Sequence, residues 1–231
     1  MGSSERRQRD KEELRTKILD AARELFAKEG YEAVTMRRIA DVIEYSPTAL
    51  YFHFTDKEAL VRELCVLDFR SLAAAFMKIA KEPDPLARLE KIGLAYVDFA
   101  VEHPNHYRLM FMTPRVHDET EIEMMKTGKG NPEEDAYAFL RGTVAEAIAK
   151  GLLRPEHQDP DIIAQAAWAA THGVISLHIA KCSDPWVEWR PLRKTAELVT
   201  RALVEGIRAV PAPAAKTPAA RTPRPKRTKE R

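Results

Sequence analysis

Several residue types that build common functional sites are scarce in this chain. Only two of its 231 residues are cysteines, Cys65 and Cys182, too few and too far apart for a cysteine-based metal site or a disulfide framework. We expect each to be a small, buried hydrophobic residue. No apolar run approaches the ~20 residues of a membrane span, and no charged-then-apolar leader precedes a cleavage site. The sequence therefore predicts a cytoplasmic protein.

Metal-binding and catalytic patterns are scarce as well. His103 and His106 have the spacing of two ligands on one helical face, but Pro104 lies between them and no third ligand is near. The HExxH pattern is absent, and no nucleophile with a matching base is recognisable. We therefore predict no metal, no cofactor and no enzyme activity, and keep an enzyme on a helical scaffold as an alternative.

The net charge of +2 does not describe the body of the chain. The last 21 residues, from Pro211, hold seven basic residues, one acidic residue and five prolines. This leaves 30 basic and 34 acidic residues, a net charge of −4, in residues 1–210. Net charge alone thus does not identify a nucleic-acid-binding protein. Such a function has to be argued from the positions of individual basic residues. Residues 211–231 are predicted to be a disordered basic tail, which either adds non-specific DNA affinity or has no role.

Residues 34–57 carry start signals for two short helices. Thr35 predicts the N-cap of a helix over about 36–43, and Ser46 followed by Pro47 predicts a second helix over about 47–53. Helices this short are stable only when each buries an apolar side against the rest of the fold. Because a turn of three or four residues separates them, the pair is predicted to be a helix-turn-helix.

The exposed side of this motif carries groups that bind phosphate or read base edges. The predicted DNA-binding residues are Thr35, Arg37, Arg38, Ser46, Pro47, Thr48, Ala49, Tyr51, His53 and Lys57. Within this set, residues 47–49 are expected to face base edges in the major groove, while Thr35, Arg37, Tyr51, His53 and Lys57 anchor phosphates. The alternative is that Tyr51 and His53 are half-buried core residues and the arginines form a solvated face.

The segment TALYFHFTDKEAL, preceded by TMRRIADVIEYS and AARELFAKEGYEAV, resembles the N-terminal domain of TetR-family transcriptional regulators over about residues 14–64. Two positions depart from the family pattern. Glu44 stands where a glycine usually ends the first helix of the motif, and a left-handed backbone costs Glu more than Gly. Thr48-Ala49 stands where Gly-Thr is common, which implies different base contacts. The pattern Trp168-x-x-x-His172-Gly173 also resembles the C-terminal domain of many such regulators, and implies a homodimer with an effector pocket in each subunit.

Helical periodicity continues along the rest of the chain, so the predicted fold class is all-α. Thr55 and Glu58 form a capping box that predicts a long helix over about 56–80, linking the N-terminal domain to a C-terminal helical bundle. Residues 113–131 are predicted to be a mobile loop or a frayed helix. The predicted domains are a flexible basic arm at 1–11, a three-helix DNA-binding domain at 12–58, a ligand-binding and dimerisation domain at 59–210, and the tail at 211–231.

The helices at 85–112 and 132–181 carry more large apolar side chains than a single buried stripe needs. Such an excess indicates an adaptable apolar cavity, in which two histidines supply the few polar contacts, although these side chains are equally typical of a core. The predicted ligand-binding residues are Tyr96, Phe99, His103, Tyr107, Met110, Phe111, Trp168 and His172.

Two long apolar helices end the ordered part of the chain, and the helix at 160–181 has small residues along one side. Because the rest of the chain already supplies a core, we predict that these two helices pack against the same two helices of a second copy, in a four-helix dimer interface. The predicted dimer residues are Ala166, Ala170, Gly173, Leu177, Val199 and Leu203.

Together these features predict a homodimeric, DNA-binding transcriptional regulator. We expect a repressor that a small, largely apolar effector releases from its double-stranded operator. The alternatives are a helical DNA-binding dimer without an effector and, with less support, the enzyme named above.

Overall fold

A computed structural model describes residues 3–113, 119, 122, 123, 126 and 128–210. Within these residues the chain forms helices and no strands, as the all-α prediction requires. The predicted tail at 211–231 and much of the predicted loop at 113–131 lie outside the described residues. The helices are α1 Ser3–Glu29, α2 Met36–Val42, α3 Pro47–Tyr51, α4 Lys57–Met77, α5 Pro85–Glu102, α6 Pro104–Phe111, α7 Ala136–Ala149, α8 Pro160–Lys181 and α9 Leu192–Ile207.

The two helices of the motif start where the sequence predicts. Thr35 caps α2, its hydroxyl accepting a hydrogen bond from the Arg38 amide at 3.1 Å, and Ser46 caps α3 by accepting from the Ala49 amide at 3.3 Å. The start of α4 differs from the predicted capping box. Asp56 caps this helix through the Ala59 amide at 2.6 Å, because a carboxylate is a stronger acceptor than the Thr55 hydroxyl.

The predicted flexible arm is wrong for residues 3–11, because α1 begins at Ser3. Residues 4–13 are exposed, so no core holds this first part of the helix. Pairs four residues apart support it instead. Gln8 donates to Glu12 at 2.9 Å, and the Arg9 guanidinium lies 3.8 Å from Glu13.

Two hydrophobic cores divide the chain into a head and a body. The head core consists mainly of residues from the four helices α1, α2, α3 and α4, together with Leu109 from α6. Its members on α4 extend from Leu60 to Cys65, whereas the body core begins at Leu72. The boundary therefore lies inside α4, later than the predicted division at 58/59, because the first two turns of this helix are buried in the head.

The body is a bundle in which α5 packs against α7, α8 and α9, while α4 packs against α5, α6 and α7. Cys65 is buried as predicted, but Cys182, just after α8, is exposed. By length and composition alone α8 would pass for a membrane span, yet it packs as a bundle helix with 22% of its most apolar window buried. Its apolar content thus lies largely on the surface of a single subunit.

Candidate DNA-binding surface and effector cavity

The motif presents several of the predicted DNA-binding residues to solvent. Arg37 on α2 and Thr48 on α3 are exposed, and Tyr51 is 52% exposed. The cap bonds of Thr35 and Ser46 use their hydroxyl oxygens as acceptors, which leaves each O–H free to donate to a phosphate. Four of these side chains lie in the caps or first turns of α2 and α3, and Tyr51 lies at the end of α3.

Two other predicted DNA-binding residues already have partners inside the head. Arg38 donates to Glu29 at 2.8 Å, and this hydrogen bond holds the pKa of the Glu29 carboxyl below its usual value. Lys57 donates to the Tyr31 carbonyl at 3.0 Å and lies 4.1 Å from the centre of the Tyr31 ring. A phosphate would compete with Glu29 for Arg38, whereas the ammonium group of Lys57 keeps two further donors.

His53 is half-buried, between the two alternatives that the sequence left open. Burial lowers the pKa of its imidazole, and the positive charges of Lys11 and Arg15 lower that pKa further. The ring is therefore neutral near pH 7. Phe52, which the sequence reading did not select, is 76% exposed, and the Lys11 ammonium lies 5.4 Å from its ring centre.

The turn between α2 and α3 adopts the backbone that a glycine would favour. Glu44 has φ 60°, in the left-handed region, and it is the only non-glycine residue of the described chain with positive φ. The Tyr45 amide closes the end of α2 by donating to the Ala40 carbonyl at 3.0 Å. Glu44 therefore adopts the same turn that a glycine would form, and the free-energy cost of this conformation is backbone strain.

A cavity of about 320 Å³ lies in the body between α4, α5, α7, α8 and α9. Of the predicted ligand residues, Tyr96, Phe111 and Trp168 line it. Met110 and His172 line a more open groove beside it, which shares Phe111 and Trp168 with the cavity. The walls are mainly aliphatic and aromatic, as an apolar ligand requires.

Phe99, His103 and Tyr107 line neither space. Phe99 and Tyr107 are buried in the body core, and His103 stacks on Phe99 with ring centres 5.2 Å apart. Helical periodicity identified Phe99 and Tyr107 as large side chains of a buried stripe but did not show whether they face a void or a neighbouring helix.

Tyr107 nevertheless supports the cavity wall from behind. Its hydroxyl meets Nδ1 of His172, and it accepts a hydrogen bond from the Tyr96 hydroxyl at 3.3 Å. Trp168 donates from Nε1 to Tyr96 at 3.1 Å. Burial raises the pKa of Tyr96 to about 12, raises the pKa of Tyr107 and lowers the pKa of His172. The cluster is therefore uncharged near pH 7, and both tyrosine hydroxyls are already paired.

Gly93 on α5 lines the cavity where α5, α8 and α9 pack closely, a role that its sequence context does not reveal. A Cβ atom there would lie 2.9 Å from both side-chain branches of Thr200 on α9 and 3.2 Å from Thr171 on α8. The sequence also did not identify other residues of the wall, because their partners are distant in the chain. They include Phe69, Phe76, Ile92, Leu140 and Ala167.

The family of bacterial regulatory proteins named after tetR matches residues 18–64, and the tetracyclin repressor-like C-terminal domain matches residues 89–203. The two matches fall on the head and on the body. The chain belongs to the TetR/AcrR family. It is a DNA-binding transcriptional regulator.

This TetR-family regulator is also similar to individual regulators and to solved structures. The regulator UidR of Escherichia coli K12 is 29% identical over 160 residues, which cover 64% of this chain and 74% of the relative. A TetR/AcrR-family regulator from Thermobifida fusca has 26% identity and a TM-score of 0.58, covering 84% of this chain and 98% of that one. A tetR-family protein from Rhodococcus RHA1 has 22% identity, a TM-score of 0.67, and coverage of 84% and 96%.

The predicted dimer residues of this TetR-family regulator divide into two groups. Ala166 is exposed and Leu177 is 57% exposed, while a Cβ atom at Gly173 would meet no atom within 4 Å. In contrast, Ala170 and Leu203 line the cavity of their own subunit. The half-buried Val199 lies next to Leu198, which is 68% exposed and was not predicted.

Proposed function

We propose that this regulator is a homodimeric repressor, which leaves its operator when a small, largely apolar effector fills the cavity of about 320 Å³. The observation that carries the proposal is the position of this cavity against α4. Cys65 belongs to the head core and also lines the cavity, so both sites share one stretch of helix. A ligand that changes the position of α4 must therefore change the surroundings of the head.

The exposed groups of the head support the proposed operator contacts. Thr35, Arg37 and Ser46 offer hydroxyl and guanidinium donors near two helix N-termini, where phosphate is favoured. Tyr51 adds an exposed hydroxyl at the end of α3. Residues 47–49 begin α3 and would enter the major groove first, as the N-terminal residues of a recognition helix do. Base specificity would then depend on Thr48, which is exposed in the first turn of this helix.

Helix α6 supplies a second connection between the cavity and the head. Phe111 lines the cavity, whereas Leu109 lies two residues earlier and is buried in the head core. Because α6 is a rigid element of eight residues, a ligand that displaces Phe111 also displaces Leu109. The effector would thus act on the head through α4 and α6 together.

Dimerisation converts such a movement into a change of DNA affinity. A dimer binds two half-sites only when its recognition helices have the matching separation. The exposed apolar residues of α8 and α9, such as Leu177 and Leu198, support pairing of two copies through this face. An effector that favours another separation would lower operator affinity by population shift.

A cavity-filling variant tests the effector response. Ala167 is half-buried in the cavity wall, and Ala167→Phe would occupy part of the space that a ligand needs. We expect this variant to bind an operator duplex, selected from random DNA by the wild type, with unchanged affinity. Small apolar compounds that release the wild type in gel-shift assays should no longer release it.

The matched control is Ala149→Phe, which adds the same side chain at an exposed position at the end of α7, outside the cavity lining. This control should respond as the wild type does. Equal release of all three proteins would show that the cavity is not the effector site, and the absence of any releasing compound would favour a DNA-binding dimer without an effector.

A further inference from the structure

Three polar side chains from three helices meet at a buried point outside the cavity lining. Asp68 on α4 is 1% exposed. Arg23 of α1 donates from Nη2 to Asp68 Oδ1 at 2.9 Å, and Nδ1 of His106 on α6 lies 2.8 Å from the same oxygen. We call these residues the Asp68 cluster. It adds a polar contact among α1, α4 and α6 at a place where α1 also packs directly against α6.

The carboxylate depends on these two neighbours. A buried charge is strongly unfavourable unless it is paired, and its burial is tolerated only when the paired groups keep their positions. Oδ2 of Asp68 and Nδ1 of His106 have no hydrogen-bond partner among the described residues. The hydrogen bond from Arg23 and the close approach of the His106 ring, both at Oδ1, therefore carry the compensation. Apolar side chains such as Leu109 can slide against their neighbours, whereas this cluster admits a narrow range of helix positions.

The cluster shares its two body helices with the cavity wall. Phe69, the residue after Asp68, lines the cavity and contacts Phe111 of α6 edge to face, with ring centres 5.6 Å apart. Helices α4 and α6 therefore meet twice, once through this aromatic pair and once through Asp68 and His106. A ligand that separates the two rings changes the distance between the same two helices at the Asp68 cluster.

We infer that Asp68 is a positioning residue that couples the effector cavity to the DNA-binding head. In the operator-binding arrangement, Asp68 holds both Arg23 and His106. An effector that moves α6 away from α4 draws His106 from the carboxylate, which changes the balance of contacts at Arg23 and hence the position of α1. This inference rests on the proposed function for its ligand, but the coupling between α1 and α6 can be measured with DNA alone.

Linkage makes DNA a sufficient probe. If an effector in the cavity changes the head, operator binding at the head must change α6 to the same extent in free energy. The probe is an operator duplex selected from random DNA by the full-length protein, and the measurement is amide hydrogen exchange by mass spectrometry. In the wild type we expect the duplex to slow exchange in residues 18–54 and also in residues 104–111.

Two variants remove the cluster in different ways. Asp68→Asn removes the charge at nearly constant size, and His106→Leu removes the α6 partner while keeping the Arg23 and Asp68 pair. In both we expect the slowing at 18–54 to remain and the slowing at 104–111 to fall by about fivefold or more, the lower end of usual allosteric couplings. If Asp68→Asn does not fold, His106→Leu decides the question alone.

The control is Glu63→Gln, because Glu63 pairs with Arg15 and so joins α4 to α1 without involving α6. This variant should keep the wild-type pattern. The inference is wrong if both cluster variants keep the slowing at 104–111, if Glu63→Gln also loses it, or if the wild type never shows it. A coupling that depends on Asp68, found together with no releasing compound, would instead favour a dimer without an effector and leave the coupling between α1 and α6 standing.

Discussion

Replacing Glu44 by glycine should stabilise the head. Glu44 has φ 60°, and its exposed side chain makes no hydrogen bond or ion pair with any described residue, so its removal loses no contact. A left-handed conformation costs a non-glycine residue roughly 1–2 kcal/mol. Glycine avoids this cost but loses more freedom on folding, roughly 0.5–1 kcal/mol. The expected net gain for Glu44→Gly is therefore about 0.5–1 kcal/mol.

A series at this position separates backbone strain from other causes. For a chain of this size, 1 kcal/mol corresponds to about 2–4 °C in melting temperature, so Glu44→Gly should raise the Tm by about 1–4 °C. Glu44→Asn should give a smaller gain, since Asn tolerates the left-handed region, and Glu44→Ala should give none. Circular dichroism melts at one fixed protein concentration measure all three.

The ranking of the three variants, rather than any single Tm, tests whether backbone strain at Glu44 is the cause. Equal stabilisation by Ala and Gly would show that the Glu44 side chain, and not its backbone, is unfavourable. Destabilisation by Gly would show that the turn is not left-handed in solution. Because the backbone stays in place, operator affinity should be the same for all folded variants, and a large change would contradict the described turn.

Three further predictions concern the head, the dimer face and the cavity. Tyr51→Phe and Lys57→Ala should weaken binding to every DNA sequence by similar factors. Lys57→Ala should also lower the slope of log affinity against log salt concentration by about one. Unchanged affinities in a salt titration would show that neither residue contacts a phosphate. A side chain at Gly173 has open space within its own subunit, so Gly173→Leu should leave the subunit folded. It should weaken dimerisation by roughly 1–3 kcal/mol through overpacking at the interface. A variant that stays dimeric at sub-micromolar concentration in analytical ultracentrifugation would refute this interface. Gly93→Ala should destabilise the body by roughly 1–3 kcal/mol, because its Cβ would lie 2.9 Å from Thr200; an unchanged urea midpoint would contradict this packing.

Local signals account for what the sequence predicted well. The starts of α2 and α3 depend on Thr35, Ser46 and Pro47, which act on amides within three residues, so the sequence alone contains the relevant information. Asp56 at the start of α4 shows the limit of this approach, since two adjacent residues could both cap the helix. The α1 start at Ser3 was missed because exposed side-chain pairs leave no apolar pattern.

Contacts between distant segments explain what the sequence did not reveal. Phe99 and Phe111 look equivalent in the sequence, but one is packed in the core and the other faces the cavity. That difference depends on how neighbouring helices fit together, which periodicity does not encode. The Asp68 cluster is hidden for the same reason, because its members are 45 and 38 residues apart in the chain.

The division of the two cores inside α4 determines how this regulator can be cut or recombined. A fragment that ends at residue 58 would lack Leu60, Val61 and Leu64, and it would leave the site of Leu109 in the head core exposed to water. A chimera joined at that point would pair the head of one protein with the first turns of α4 from another. A compatible junction must lie after Cys65, and the new body must present an apolar residue where Leu109 now enters the head.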